Sequence, residues 1–204
     1  GNLKKCLDND KKFSEDVTRA YIAEILVALE YLHDKNVLYR DLKPDNILVD
    51  GNGRLKLTDF GLSKTNVGES YASKTFCGTP AYMAPDVIKE IPYGKPVDWY
   101  CLGVIFYEFL HSQPPYIAET AEKMRDNILY GNLQVNSNIS PDAKDLLVQL
   151  LNRNPFKRLG ANGALEIKAH PFFAEIDWDL YNEKFPDPDM LPEVPMRDTM
   201  NIGP

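Results

Sequence analysis

From Trp99 to Leu110 the chain is apolar but for Gly103 and a single charge, Glu108. A helix that is apolar nearly all round has to be covered on every side. The run is too short and too charged to cross a bilayer, so residues 98–110 predict a central buried helix rather than a membrane span. The chain has the material to bury it. It is 204 residues long, 44% hydrophobic and 26% charged, an ordinary globular profile. That length suits one domain, or one and part of a second, and buries roughly 70% of the unfolded surface without staples.

The segments on either side supply the cover. Ser14 can cap a helix, Glu15 and Asp16 suit its first turn, and Val17, Tyr21, Ile25, Leu29 and Leu32 recur at helical spacing to about His33. Pro44 breaks the loop that follows. Ile47-Leu48-Val49, the turn Asp50-Gly51-Asn52-Gly53 and Leu55-Lys56-Leu57 then predict a short hairpin. Residues 58–96 hold no sustained period, and an irregular stretch of that length inside a compact domain is functional or disordered. Helices are expected again over residues 119–130, from Ser140-Pro141 to the stop at Pro155, and as one short helix over residues 166–173. Pro186, Pro188, Pro192 and Pro195 describe an extended tail.

Charge and cysteine usage narrow the function classes. With 23 basic and 30 acidic residues the net charge is −7, which argues against a binder that lives on nucleic-acid phosphates and admits cationic peptides. Cys6, Cys77 and Cys101 are odd in number and lack metal spacing, so neither a disulfide framework nor a zinc site is expected. Lys4-Lys5 and Lys11-Lys12 read as solvated surface, and His33, His111 and His170 as structural. The first residues resemble no signal peptide and do not begin with Met, so the chain is expected to be a piece of something longer.

The dense chemistry lies in Tyr39-Arg40-Asp41-Leu42-Lys43-Pro44-Asp45-Asn46 and in Thr58-Asp59-Phe60-Gly61. A carboxylate, an ammonium and a carboxamide share one loop, and the hairpin can return Asp59 beside Asn46. Such a set suits phosphoryl transfer. Asn46 and Asp59 offer hard oxygens to Mg²⁺. Lys43 offers a point charge to phosphate, and Asp41 can orient and deprotonate an attacking hydroxyl. A metal hydrolase is disfavoured because no histidine accompanies these carboxylates.

These segments, with Ala84-Pro85-Asp86, resemble the catalytic loop, magnesium loop and activation-segment end of eukaryotic protein kinases. Lys43 is similar to the Ser/Thr branch. Tyr39 and Thr75-Phe76-Cys77-Gly78-Thr79-Pro80 resemble the AGC group, and Val97-Asp98-Trp99, Arg158-Leu159-Gly160 and His170-Pro171-Phe172-Phe173 extend the likeness. Residues 120–129 look most like the serum- and glucocorticoid-regulated kinases or Akt. The resemblance implies ATP and Mg²⁺ as cofactors, Asp41 and Lys43 as catalytic residues, and Lys43, Asn46 and Asp59 around the metal and nucleotide. It implies Thr75 as a phosphosite for an upstream activating kinase, with Arg40 and Lys64 as phosphate partners. Asp45, Thr79 and Glu108 stand at substrate-facing positions, although Glu108 also reads as a satisfied core acid. Asp98, Asp86 and Arg158 take structural roles. Asp98 is expected to accept backbone N–H groups of the catalytic loop, because a buried carboxylate must be paired.

The departures from that pattern are as informative. No G-x-G-x-x-G and no V-A-x-K strand occur in these residues. The fold expected is therefore a protein-kinase-like C-lobe only, mainly α-helical, with the hairpin at the active site. Residues 1–175 would form that lobe and residues 176–204 the start of an AGC-type extension. Asp86 stands for the usual glutamate, Ala81 for another, and Asn2 for an acid that meets substrate arginine. Two readings stay open: a Ser/Thr kinase of basic peptides, inactive as this chain alone, or a truncated or pseudokinase module that binds partner proteins. A cytoplasmic signalling transferase is expected, with no transmembrane segment and no nucleic-acid partner.

Overall fold

The computed structural model describes residues 1–65, 73 and 75–182. In chain order these hold α1 (Leu3–Asp10), α2 (Glu15–Asp34), β1 (Ile47–Val49), β2 (Leu55–Leu57), α3 (Pro85–Ile88), α4 (Pro96–His111), α5 (Ala121–Tyr130), α6 (Pro141–Leu150), α7 (Ala164–Lys168) and α8 (Trp178–Asn182). Single 3-10 turns lie at Pro44–Asn46, Phe60–Leu62, Pro80–Tyr82 and Pro171–Phe173. The architecture is mainly helical with one two-stranded antiparallel sheet among the described residues.

Helix α4 is the centre, with every residue from Pro96 to Leu110 buried. It packs against α2 on one side and α6 on another. Burying its Trp, Leu, Ile and Phe side chains supplies on the order of 10 kcal/mol of transfer free energy, before chain entropy is subtracted. Gly103 permits the close approach of α6, since a Cβ there would sit 2.8 Å from Leu150 Cβ. Helix α2 starts as its sequence indicates, Ser14 Oγ accepting from Val17 N at 3.4 Å, and turns Tyr21, Ile22, Ile25, Leu26 and Leu29 into the core.

The hairpin forms in the expected register, Ile47 facing Leu57 and Val49 facing Leu55. Asp50 Oδ1 closes the turn by accepting from Asn52 N at 2.9 Å and Arg54 N at 3.0 Å, and Gly53 takes the positive φ of 77°.

Three elements differ from the sequence reading. Helix α1 was not expected, yet Asn2 Oδ1 caps it by accepting from Lys5 N at 3.1 Å, and Leu3, Cys6 and Leu7 bury one face. Helix α3 follows Pro85 inside the stretch read as irregular. The single helix expected over residues 166–173 is two pieces, α7 and the turn Pro171–Phe173. His170 is extended (φ −67°, ψ 138°) as the residue before a proline tends to be, and its ring caps the new turn by accepting from Phe172 N at 3.2 Å. The proline-marked tail and most of the expected 176–204 extension lie outside the described residues. No described helix is long and apolar enough to cross a membrane.

Candidate active site

Asp98 joins the core to the site. It lies in the first turn of α4, fully buried, and each of its oxygens is used. Oδ2 accepts from Tyr39 N at 3.0 Å and meets His33 Nε2 at 2.8 Å, while Oδ1 accepts from Arg40 N at 2.9 Å. Arg40 sits in the left-handed region at φ 70°. A non-glycine residue persists there only where its surroundings hold it, and here the Asp98 carboxylate holds the two consecutive backbone N–H groups that lead into it.

The next residue is Asp41, also buried. Its Oδ1 accepts from the Thr79 hydroxyl at 2.9 Å, and its Oδ2 accepts from Asn46 Nδ2 and from Lys43 Nζ, each at 2.9 Å. Lys43 Nζ also donates to Thr79 Oγ1 at 2.8 Å, so the three groups close a ring around the carboxylate. Burial pushes the Asp41 carboxyl up, but its bonds from Lys43 and Thr79, the Lys43 charge and Asn46 outweigh that and hold it below the usual carboxylate range. Asp41 is thus an ionised acceptor at neutral pH. Its four or so lone-pair positions have three donors, which leaves one for an incoming hydroxyl.

Asn46 gives its amide protons to Asp41 O and Oδ2, both at 2.9 Å, and keeps Oδ1 as its acceptor. Its backbone carbonyl ties the hairpin in, accepting from Thr58 N at 2.9 Å and Thr58 Oγ1 at 3.0 Å. The residue after Thr58 is Asp59, exposed and left-handed at φ 56°, with one carboxylate oxygen accepting from Gly61 N at 3.2 Å. An amide oxygen and a carboxylate are hard donors and fit a Mg²⁺ ion that keeps waters and phosphate oxygens. No described group of three or more His, Cys, Asp or Glu could hold a metal by itself. Beside Asp59 in the chain, Phe60 is 49% and Leu62 37% exposed, and on β1 Leu48 is 42% exposed.

The remaining candidates fall into three places. Thr75 is exposed, and its carbonyl accepts from Tyr93 OH at 2.7 Å. Arg40 donates through Nη1 to that same hydroxyl at 3.4 Å and to Ser73 Oγ at 3.2 Å, and through Nε to Leu62 O at 2.6 Å. Lys64 pairs with Leu38 through its backbone. Asp86 and Arg158 form a buried ion pair at 2.9 Å, Nη1 reaching Oδ2 and also Pro96 O at 2.8 Å. Arg158 Nη2 is buried with no hydrogen-bond partner among the described residues, and the guanidinium lies 5.1 Å from the Tyr100 ring centroid.

Glu108 is partnered in this structure by one close contact and one loose one. It is 1% exposed, its Oε2 accepts from Tyr82 OH at 2.6 Å, and its Oε1 meets Lys4 Nζ at 3.5 Å. Burial raises its carboxyl above the usual range despite Tyr82 and Lys4. Lys4 is therefore not the plain solvated lysine its sequence neighbourhood indicates. Asp45 is exposed nearby, and its carbonyl accepts from Asn2 Nδ2 at 3.4 Å. Tyr82, Tyr93 and Lys4 were missed by sequence reasoning. Each acts through a partner far away in the chain, and only the helical spacing of Leu3, Cys6 and Leu7 could have placed Lys4.

All three histidines are structural: His33 on Asp98, His111 stacked on Tyr107 at 3.9 Å, and His170 at its cap. The three cysteines are free.

A buried, ionised aspartate ringed by Lys, Thr and Asn, one hairpin away from a second carboxylate, defines a class. The protein kinase domain family model matches residues 1–173, and the chain belongs to that family. Within it the chain is Sgk-like. It is 47% identical over 190 residues to serine/threonine-protein kinase Sgk1 of Homo sapiens, covering 92% of this chain and 44% of the relative. Against serine/threonine-protein kinase sgk-1 of Caenorhabditis elegans it is 45% identical over 206 residues, 100% of this chain and 44% of the relative. Sgk1 of Fundulus heteroclitus is 47% identical over 195 residues, 95% and 45% respectively. The chain thus spans less than half the length of these curated relatives.

Proposed function

We propose that the chain is the C-lobe of an ATP- and Mg²⁺-dependent Ser/Thr protein kinase, with residues 1–175 forming the lobe and residues 176–204 opening a C-terminal extension. The observation that carries this reading is the Asp41 carboxylate, held ionised by Lys43 and Thr79 with one acceptor position left over. When bound, Mg²⁺–ATP supplies the γ-phosphoryl group and the charge neutralisation. Asp41 accepts a hydrogen bond from the substrate hydroxyl and turns its oxygen toward the phosphorus. A carboxylate with a depressed pKa is a weak base, which suits a reaction whose transition state asks for orientation more than early proton removal. Lys43 places a cation beside the migrating group, and Thr79 keeps Asp41 and Lys43 in register. Asn46 Oδ1 and the Asp59 carboxylate are the oxygens that would hold the metal.

Around that centre, Thr75 is the proposed regulatory phosphosite. A phosphate there adds about −1.5 to −2 charges, and Arg40, already joined to Thr75 through Tyr93, would pair it in a bidentate fork with Lys64 as second cation. Asp45 and Glu108 are the proposed acids for substrate arginine. The test is transfer of labelled phosphate from ATP to matched Ser, Thr and Tyr peptides by a longer form of the protein. Labelling of the Ser and Thr peptides alone is expected. Labelling of none, or of the Tyr peptide equally, contradicts the reading.

A further inference from the structure

The reading of Glu108 as a seat for substrate arginine, on which this inference rests, leaves one contact to be explained. Lys4, on α1, already reaches that carboxylate from 104 positions away in the chain. We propose that Lys4 is a specificity-determining residue: an in-chain cation that holds the Glu108 seat when no substrate is present and that an incoming arginine displaces.

The geometry is that of a loose occupant. Lys4 Nζ stands 3.5 Å from Glu108 Oε1, at the limit of a hydrogen bond, and its side chain is 35% exposed against 1% for Glu108. The same ammonium is 3.2 Å from Asp8 Oδ1, one helical turn along α1. Asp8 is an alternative home. Lys4 can retreat to it and remain neutralised, and an exposed i,i+4 pair of this kind costs little to form or to leave. Glu108 cannot retreat, because its other oxygen is fixed by Tyr82 at 2.6 Å.

Charge points the same way. The Tyr82 hydroxyl feels three carboxylates, Glu108, Asp45 and Asp8, and the cation acting on Glu108 is Lys4. With Lys4 in place the surroundings are still acidic, so a second cation is attracted rather than repelled. A guanidinium presents five donors in a plane and can meet two acids at once, whereas the lysine ammonium is a single point. The exchange therefore favours arginine over the resident lysine, and its cost blunts arginine preference at this subsite.

The test is peptide binding to the 204-residue chain by fluorescence anisotropy. The probes are a labelled serine peptide with arginines before the serine and its alanine counterpart. Lys4→Met, which keeps the stem, is expected to tighten the arginine peptide by ~2–5-fold, the worth of one solvent-accessible ion pair, and to leave the alanine peptide unchanged. Lys4→Gln should give the same result. The gain should vanish in a Glu108→Gln background, where Tyr82 still has an acceptor, and Lys5→Met should give no gain. Equal tightening by Lys4→Met and Lys5→Met overturns the proposal, because it would report net charge alone. So does an unchanged affinity in Lys4→Met when Glu108→Gln weakens the arginine peptide, an outcome that leaves the arginine seat standing. Failure of the seat itself has a different signature: wild type and every variant bind the two peptides alike.

Discussion

Asp41 is buried and has three side-chain donors at 2.9 Å, whereas Asp59 is exposed and accepts one backbone N–H at 3.2 Å. The two carboxylates belong to one site and are supported in opposite ways. Asp41 hangs from α4 through Asp98, so the core fixes it. Asp59 follows a two-stranded hairpin, and the residues just after it in the chain, Phe60 and Leu62, are exposed. The half proposed to orient the acceptor has its hydrogen-bond partners in place among the described residues. The half proposed to meet phosphate and metal has few partners there.

That contrast can be broken most severely by removing each of the two charges in turn. In a longer, active form Asp41→Asn should lower turnover by ~10²–10⁴-fold with ATP affinity retained, because the lost group acts on the hydroxyl. Asp59→Asn should weaken Mg²⁺–ATP binding as well, because the lost charge faces phosphate. Initial rates and a nucleotide binding isotherm separate the two, and identical behaviour of the pair would end the division of roles. Next in size is the support behind Asp41. Asp98→Ala removes the acceptor of Tyr39 N, Arg40 N and His33 and should cost about 3–5 kcal/mol in urea unfolding. A cost below about 1 kcal/mol would show that the loop is not held from α4.

How much of this was legible in the sequence follows from the range of the interactions. Helices α2 and α6 carry their own apolar period and serine caps, α4 its nearly unbroken apolar run, and the hairpin its turn residues, so each was readable locally. The ring around Asp41 was readable because Asp41, Lys43 and Asn46 are neighbours and Thr79 belongs to a recognisable segment. Helix α1 was not, since its apolar face is three residues in a polar stretch and is settled by packing on β1 and the Pro44–Asn46 turn. Lys4 with Glu108, Tyr82 with Glu108 and Tyr93 with Arg40 have no local signature at all. Their partners are fixed only when the chain closes.

A smaller effect sharpens the contrast by improving the buried side. Asp86→Glu adds the methylene that could bring a second oxygen to Arg158 Nη2, and should raise stability by about 0.5–1.5 kcal/mol in a thermal melt. A loss instead would mean that the pocket is too tight for the longer acid. Smallest is a pH effect. The Asp41 carboxyl is depressed in the folded chain, so the unfolded chain binds more protons in the acid range. Its contribution is full above the ordinary carboxylate pKa of about 3.9 and is lost as pH falls through its lower folded value. Asp41→Asn should flatten that part of the stability profile, and an unaltered profile would show that Lys43 and Thr79 do not stabilise its charge.

The central claim is that Asp41 and its ring form the acceptor-orienting half of a phosphoryl-transfer centre. The most direct measurement is Mg²⁺-dependent transfer of labelled γ-phosphate to an arginine-containing serine peptide. It would compare this chain alone with the same chain fused in frame to a protein-kinase N-lobe. Little transfer by the chain alone, robust transfer by the fusion, and loss of ~10²–10⁴-fold in the fused Asp41→Asn variant are predicted. Robust transfer by the chain alone, or a fused Asp41→Asn variant as fast as the fusion itself, would contradict the account.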